Sequence, residues 1–79
     1  MLISEFEAVN RFCAKRNISF NYFFCGSKYA AYRLKPDDSR VIRLDNDYYV
    51  ISATLYLMVR RYLIALRKGD GSAETLFHL

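Results

Sequence analysis

One histidine, two cysteines and eight carboxylates are what this 79-residue chain offers for acid–base, nucleophilic or metal chemistry, and their spacing works against each use. His78 stands next to the last residue, where a fixed general base is not expected. Asp37-Asp38 and Asp45/Asp47 are carboxylate pairs, but both lie in turn-like stretches, where Asp bonds back to its own backbone. Cys13 and Cys25 lack the paired Cys-x-x-Cys clusters of a zinc site. A single bridge between them would be a thin framework for a secreted miniprotein, so both read as reduced and structural. Cys25, before Gly26, has no evident basic neighbour to activate its thiol. Gly26, Gly69 and Gly71 form neither a Gly-x-Gly-x-x-Gly nor a Gly-x-x-x-x-Gly-Lys pattern, so no phosphate-cradling loop is expected. The reading is of a non-enzymatic protein with no metal site and no small-molecule cofactor.

The elements that would position any site follow from periodicity. Ser4 with Glu7 three residues on is a capping box and predicts a helix start. Phe6, Val9 and Cys13 then share one stripe with Phe12 beside them, while Arg11, Lys15 and Arg16 fall largely elsewhere, and Asn17 is the stop. From Ile18 to Cys25 the alternation of Ile18, Phe20, Tyr22 and Phe24 against Ser19, Asn21, Phe23 and Cys25 predicts a strand. Gly26-Ser27 reads as a turn into a second strand, Lys28 to Lys35, with Ala30, Tyr32 and Leu34 on one side. Pro36-Asp37-Asp38-Ser39 turns the chain into a third strand, Arg40 to Leu44. Asp45-Asn46-Asp47 either turns into a strand Tyr48–Ile51 or caps a helix starting at Tyr48, with helix favoured from about Ser52. From Ala53 to Lys68 there is no Gly or Pro. Leu55, Met58, Val59, Tyr62 and Leu66 recur there at helical spacing, and Gly69 reads as the C-terminal cap.

The fold class expected is α+β: a three-stranded antiparallel meander in the order α-β-β-β-α, with a fourth strand if Tyr48–Ile51 pairs, and with the N- and C-terminal helices on one face. One domain over residues 1–69 and a short tail over 70–79, carrying at most a fragment of helix after Ser72, account for the length. With 53% hydrophobic and 25% charged residues the chain should fold rather than stay disordered. The most apolar stretch, Tyr48 to Val59, meets Arg60-Arg61 well short of the roughly 20 residues of a membrane span. Met1-Leu2-Ile3-Ser4-Glu5 lacks the basic start and long apolar run of a secretory leader. A cytoplasmic protein is expected.

Two surfaces remain. The side of the meander away from the core would carry Phe23, Tyr29, Arg33, Lys35 and Arg43 with Val41, a mixture of rings and cations suited to single-stranded RNA or DNA. The characteristic aromatic motif of RNA-recognition sheets is missing, and a net charge of +4 is only mildly basic. The back of the long helix carries Leu57, Arg60, Arg61, Ile64 and Lys68, and its exposed apolar residues need cover from the same fold or another chain. The preferred expectation is a protein-binding module, such as a phage or mobile-element inhibitor or modulator that occupies a host protein's surface, or one that self-associates. Its candidate anchors are Tyr29, Tyr48, Tyr49, Tyr56, Arg60 and Arg61. Nucleic-acid binding through the sheet face is the alternative, and no membrane partner is expected.

Gly26-Ser27 entering the second strand of an α-β-β-β-α chain resembles the small HicA-type RNA-cleaving toxins, which share that order and a Gly-Ser-His motif. Lys28 stands in the histidine's place, so the resemblance implies a related shape and not that cleavage activity.

Overall fold

Among the described residues serines open three of the four helices, and each does so with the same bond. In the computed structural model, which describes residues 3–79, Ser4 Oγ accepts from Glu7 N–H (3.1 Å) and starts α1, Glu5–Lys15. The helix ends where the sequence predicts, with Asn17 left-handed (φ 56°), Asn17 N–H bonding to Ala14 O and Ile18 N–H to Cys13 O. That pair of bonds satisfies two of the carbonyls a helix end leaves bare. Met1 and Leu2, where the domain is expected to begin, lie outside the described residues.

The predicted strand Ile18–Cys25 shortens to β1, Phe23–Cys25. Before it, Phe20 and Tyr22 pack against Phe6, tilted and edge-on respectively (ring centroids 5.7 and 5.2 Å), rather than alternate in a sheet. The larger correction concerns Lys28–Lys35, expected as a strand. Lys28–Leu34 is a helix, α2, because Ser27 is an N-terminal cap and not a hairpin turn: its Oγ accepts from Ala30 N–H (3.1 Å). Seven residues containing two alanines, Lys, Arg and Leu favour helix, and over so short a run an alternating pattern fits either period. Ala31 alone is buried, while Tyr32 and Leu34, assigned to the core side of that strand, are exposed. The Gly-Ser pair therefore leads into a helix, which removes the outline shared with the RNA-cleaving toxins.

β2, Ser39–Leu44, and β3, Asp47–Ser52, form a hairpin in which Leu44 faces Asp47 across the two-residue loop Asp45-Asn46, with Asp45 left-handed (φ 58°). Tyr48–Ile51 is thus strand. It is also the central one: β1 and β2 both pair antiparallel with β3, giving the order β1-β3-β2 in place of a sequential meander. The reason lies in the run Tyr48-Tyr49-Val50-Ile51, apolar on both faces as only a covered strand can be. The chain remains α+β, with four helices and a three-stranded antiparallel sheet among the described residues.

Alternate residues of β3 serve two cores. Tyr49 and Ile51, with Ile42 and Leu44 of β2, pack under α1 and α3, Ala53–Lys68, in the main core, where Val9, Cys13, Leu44 and Val59 are fully enclosed. Val50 turns to the other face and meets Cys25 and Ala31, with Val41 and Tyr48 beside them. The N- and C-terminal helices share one face as expected, and the face expected to lie open is partly roofed by α2. The last ten residues contain a six-residue helix, α4, Ser72–Phe77. Arg16 holds it to α1: the guanidinium lies 3.8 Å from the Phe12 ring centroid, and its Nη2 donates to Leu76 O at 2.6 Å.

Candidate functional site

The residues with chemical potential are occupied locally. His78 lies at the end of α4, with Nε2 2.9 Å from Glu74 Oε1 and Nδ1 3.1 Å from Lys15 Nζ. Cys13 and Cys25 are unbridged and buried in different cores. Burial pushes the Cys13 thiol above its usual pKa, and the nearby charge of Arg16 only partly opposes this. Asp45 caps α1, accepting from Glu5 N–H (2.9 Å) and Phe6 N–H (3.2 Å). Among the described residues no three His, Cys, Asp or Glu side chains converge as metal ligands, and no helix is long and apolar enough to cross a membrane.

What stands out instead is the outer face of α3. Ser52 caps the helix, its Oγ accepting from Leu55 N–H (3.1 Å), and Gly69 closes it in the left-handed conformation (φ 68°). With 3.6 residues per turn, Leu55, Val59, Tyr62, Leu63 and Leu66 face the core, which leaves Leu57, Arg60, Arg61, Ile64 and Lys68 outward. Leu57 is 76% exposed and Ile64 42%, so two aliphatic side chains lie open on this stripe. Three cations frame them, and no Asp or Glu occurs between Asp47 and Asp70. Arg67 is the helix's one cation engaged in an ion pair among the described residues, with Glu5.

Two clefts flank this ridge. One, of about 590 Å³, runs between α3 and α4, with Arg60, Ile64 and Lys68 on one side and Ser72 and Thr75 on the other. The second, of about 550 Å³, lies toward α1 and is lined by Phe12, Thr54, Leu57, Met58 and Leu79. Arg61 and Leu76 border both clefts. No Asp or Glu lines the first cleft among the described residues, and the nearby Asp70 carboxylate is engaged locally, its Oδ1 accepting from Ser72 N–H and Oγ–H. Such a surface can hold apolar groups against Leu57 and Ile64 while the guanidinium groups engage carboxylates or phosphates.

The anchors expected from sequence divide into three groups. Arg60 and Arg61 lie exposed on this ridge, with Tyr56 half-buried on the same helix against the main core. Tyr29 is 73% exposed but on α2, where Arg33 Nη1 donates to its hydroxyl at 3.4 Å. Tyr49 is only 8% exposed and sits within 5.5 Å of the rings of Phe6, Tyr22 and Phe24. It is a core residue rather than an exposed anchor, because its face of the central strand is covered by the main core, while Tyr48 takes the other face, half-buried beside Cys25, Ala31 and Val50.

The residues of the nucleic-acid alternative do not form the flat sheet face expected. Tyr29 and Arg33 are on α2 and Lys35 is its C-terminal cap. Phe23 and Arg43 lie on the strands either side of β3 and two residues out of register, roughly 12 Å apart by strand spacing and rise. Sequence reasoning passed over Tyr32 and Leu34, exposed because their segment is helical.

No protein-family model, curated protein or solved structure matches this chain.

Proposed function

We propose that the protein is a non-catalytic binding module that docks on another protein through the outer face of α3 and acts by occupying that partner's surface, as an inhibitor or modulator does. The observation that carries this reading is the pairing of open Leu57 and Ile64 with Arg60, Arg61 and Lys68 on a helix devoid of carboxylates. Arginine is among the residues enriched in interface hot spots, open aliphatic side chains gain from being covered, and the positive frame selects a partner that is acidic around an apolar centre. Mimicry of nucleic acid, which needs a negative surface, runs against this charge.

A photo-reactive residue at Leu57, with a control at exposed Asn10, would identify what docks there. The cross-linked protein, once purified, should bind the wild-type chain and lose at least about tenfold in affinity to R60E/R61E, roughly 1.4 kcal/mol or more. Equal cross-linking from both positions, or an affinity unchanged in R60E/R61E, would remove the reading.

A second reading rests on α2, where Tyr29 and Tyr32 stand exposed beside Lys28 and Arg33. Rings beside cations suit stacking on single-stranded nucleic acid. Fluorescence anisotropy with labelled RNA and DNA should then reveal binding that weakens steeply with salt. No binding at low salt would refute it.

A further inference from the structure

The two edges of the sheet are built differently. β2 exposes Arg40 and Arg43, side chains of the kind that keep an open edge from pairing with another chain. β1 has no such guard. From Ile18 through Ser27 there is neither a charge nor a proline. Phe23 and Phe24 are 64% and 54% exposed, one on each face of the strand, and the preceding Tyr22 is also exposed. β1 pairs with β3 on one side alone, and no strand lies beyond it among the described residues.

We propose that β1 is a self-association edge: it pairs antiparallel with β1 of a second copy about a two-fold axis, joining two three-stranded sheets into one of six. Three features single out a second copy. An antiparallel edge contact is self-complementary, as two-fold symmetry requires. Copies that each carry a net charge of +4 repel one another, so the surface on which they meet must be free of charge, and this edge is. A partner chosen by opposite charge would find nothing here to recognise. Phe23 also lines, with Leu34 and Val50, an apolar cleft of about 460 Å³ on one face of the sheet beside this edge. Tyr22, Phe23, Phe24 and Leu34 together offer roughly 400–500 Å² per copy, so the dimer lies near the lower limit for a specific interface and should have micromolar affinity.

Sedimentation velocity from about 1 to about 500 µM tests this range of affinity. The wild-type mass should move from monomer to dimer, and F23K and F24K should each remain monomeric with an unchanged far-UV circular dichroism spectrum. Pairing centred on residue 24 brings the two copies' Cα atoms to about 5 Å, so F24C should form an intermolecular disulfide on mild oxidation while Y29C, off the edge, should not. A wild-type chain that stays monomeric throughout overturns the proposal. So does a dimer that survives both lysine variants, or an F24C chain that cross-links no faster than Y29C.

Discussion

Replacing Glu5 by alanine tests how the long helix is locked to the rest of the fold. The Glu5 carboxylate receives Arg67 Nε at 2.8 Å, Arg67 Nη2 at 3.1 Å and the Asp45 N–H at 2.7 Å. Arg67 Nη2 also donates to Arg43 O at 2.9 Å. One ion pair therefore ties the last turn of α3 to the first turn of α1 and to the β2–β3 hairpin. The pair is partly exposed, which limits it to about 0.5–1 kcal/mol, and the accepted backbone N–H adds about as much again. Glu5→Ala should cost about 1–2 kcal/mol in all, a fall in Tm of roughly 4–16 °C for a chain of this size.

The same contact sets a pH dependence. Hydrogen bonding from Arg67, the largest influence, holds the Glu5 carboxyl below its ordinary value. A carboxylate with a lowered folded-state pKa contributes stability above its unfolded pKa and loses it as pH falls through the folded one. The difference between wild type and Glu5→Ala should therefore be full near neutrality and shrink as pH drops from about 5 to below 4. Thermal melts followed by circular dichroism across that range would measure it. A gap under about 2 °C at neutral pH, or one that does not narrow on acidification, would refute the clamp.

Further expectations follow from single contacts. Ser27→Ala removes the cap of α2 and should cost about 1 kcal/mol in urea denaturation, whereas Ser27→Asp should retain most of it. Gly69→Ala meets open space at Cβ but a left-handed backbone (φ 68°), so it should destabilise by about 1 kcal/mol through conformation alone. Both cysteines are buried, so a thiol reagent at neutral pH should label the native chain far more slowly than the urea-unfolded one, and fast labelling of native Cys13 would contradict the packing of α1.

The exposed ridge of α3 and the bare edge of β1 are separate surfaces, and their charges set them apart. A cationic frame around Leu57 and Ile64 suits an acidic partner. An uncharged edge suits a copy of the same chain. A dimer through β1 would carry two such ridges and so engage a two-fold partner with added avidity.

Local chemistry in the sequence was enough to determine both ends of the chain's architecture. Ser4 with Glu7 opens α1 and Asn17 ends it, while an uninterrupted apolar period from Ala53 to Lys68 with Gly69 behind it is α3. That same period left Leu57, Arg60, Arg61, Ile64 and Lys68 on the outside, so the candidate ridge was legible because helical geometry is set within a few residues. Between Ile18 and Ile51 the outcome depended on long-range pairing. Lys28–Leu34 fits a strand or a helix by pattern, and what decides it is the Ser27 cap together with the seat that Cys25 and Val50 provide for Ala31. Tyr49 looks like an exposed anchor by type, yet the central position of β3, which only the pairing of β1 and β2 on its two sides creates, buries it among Phe6, Tyr22 and Phe24. Caps and helical periods are local and survive in the sequence. Strand order and the choice of covered face are properties of distant segments meeting, and they appear only in the folded chain.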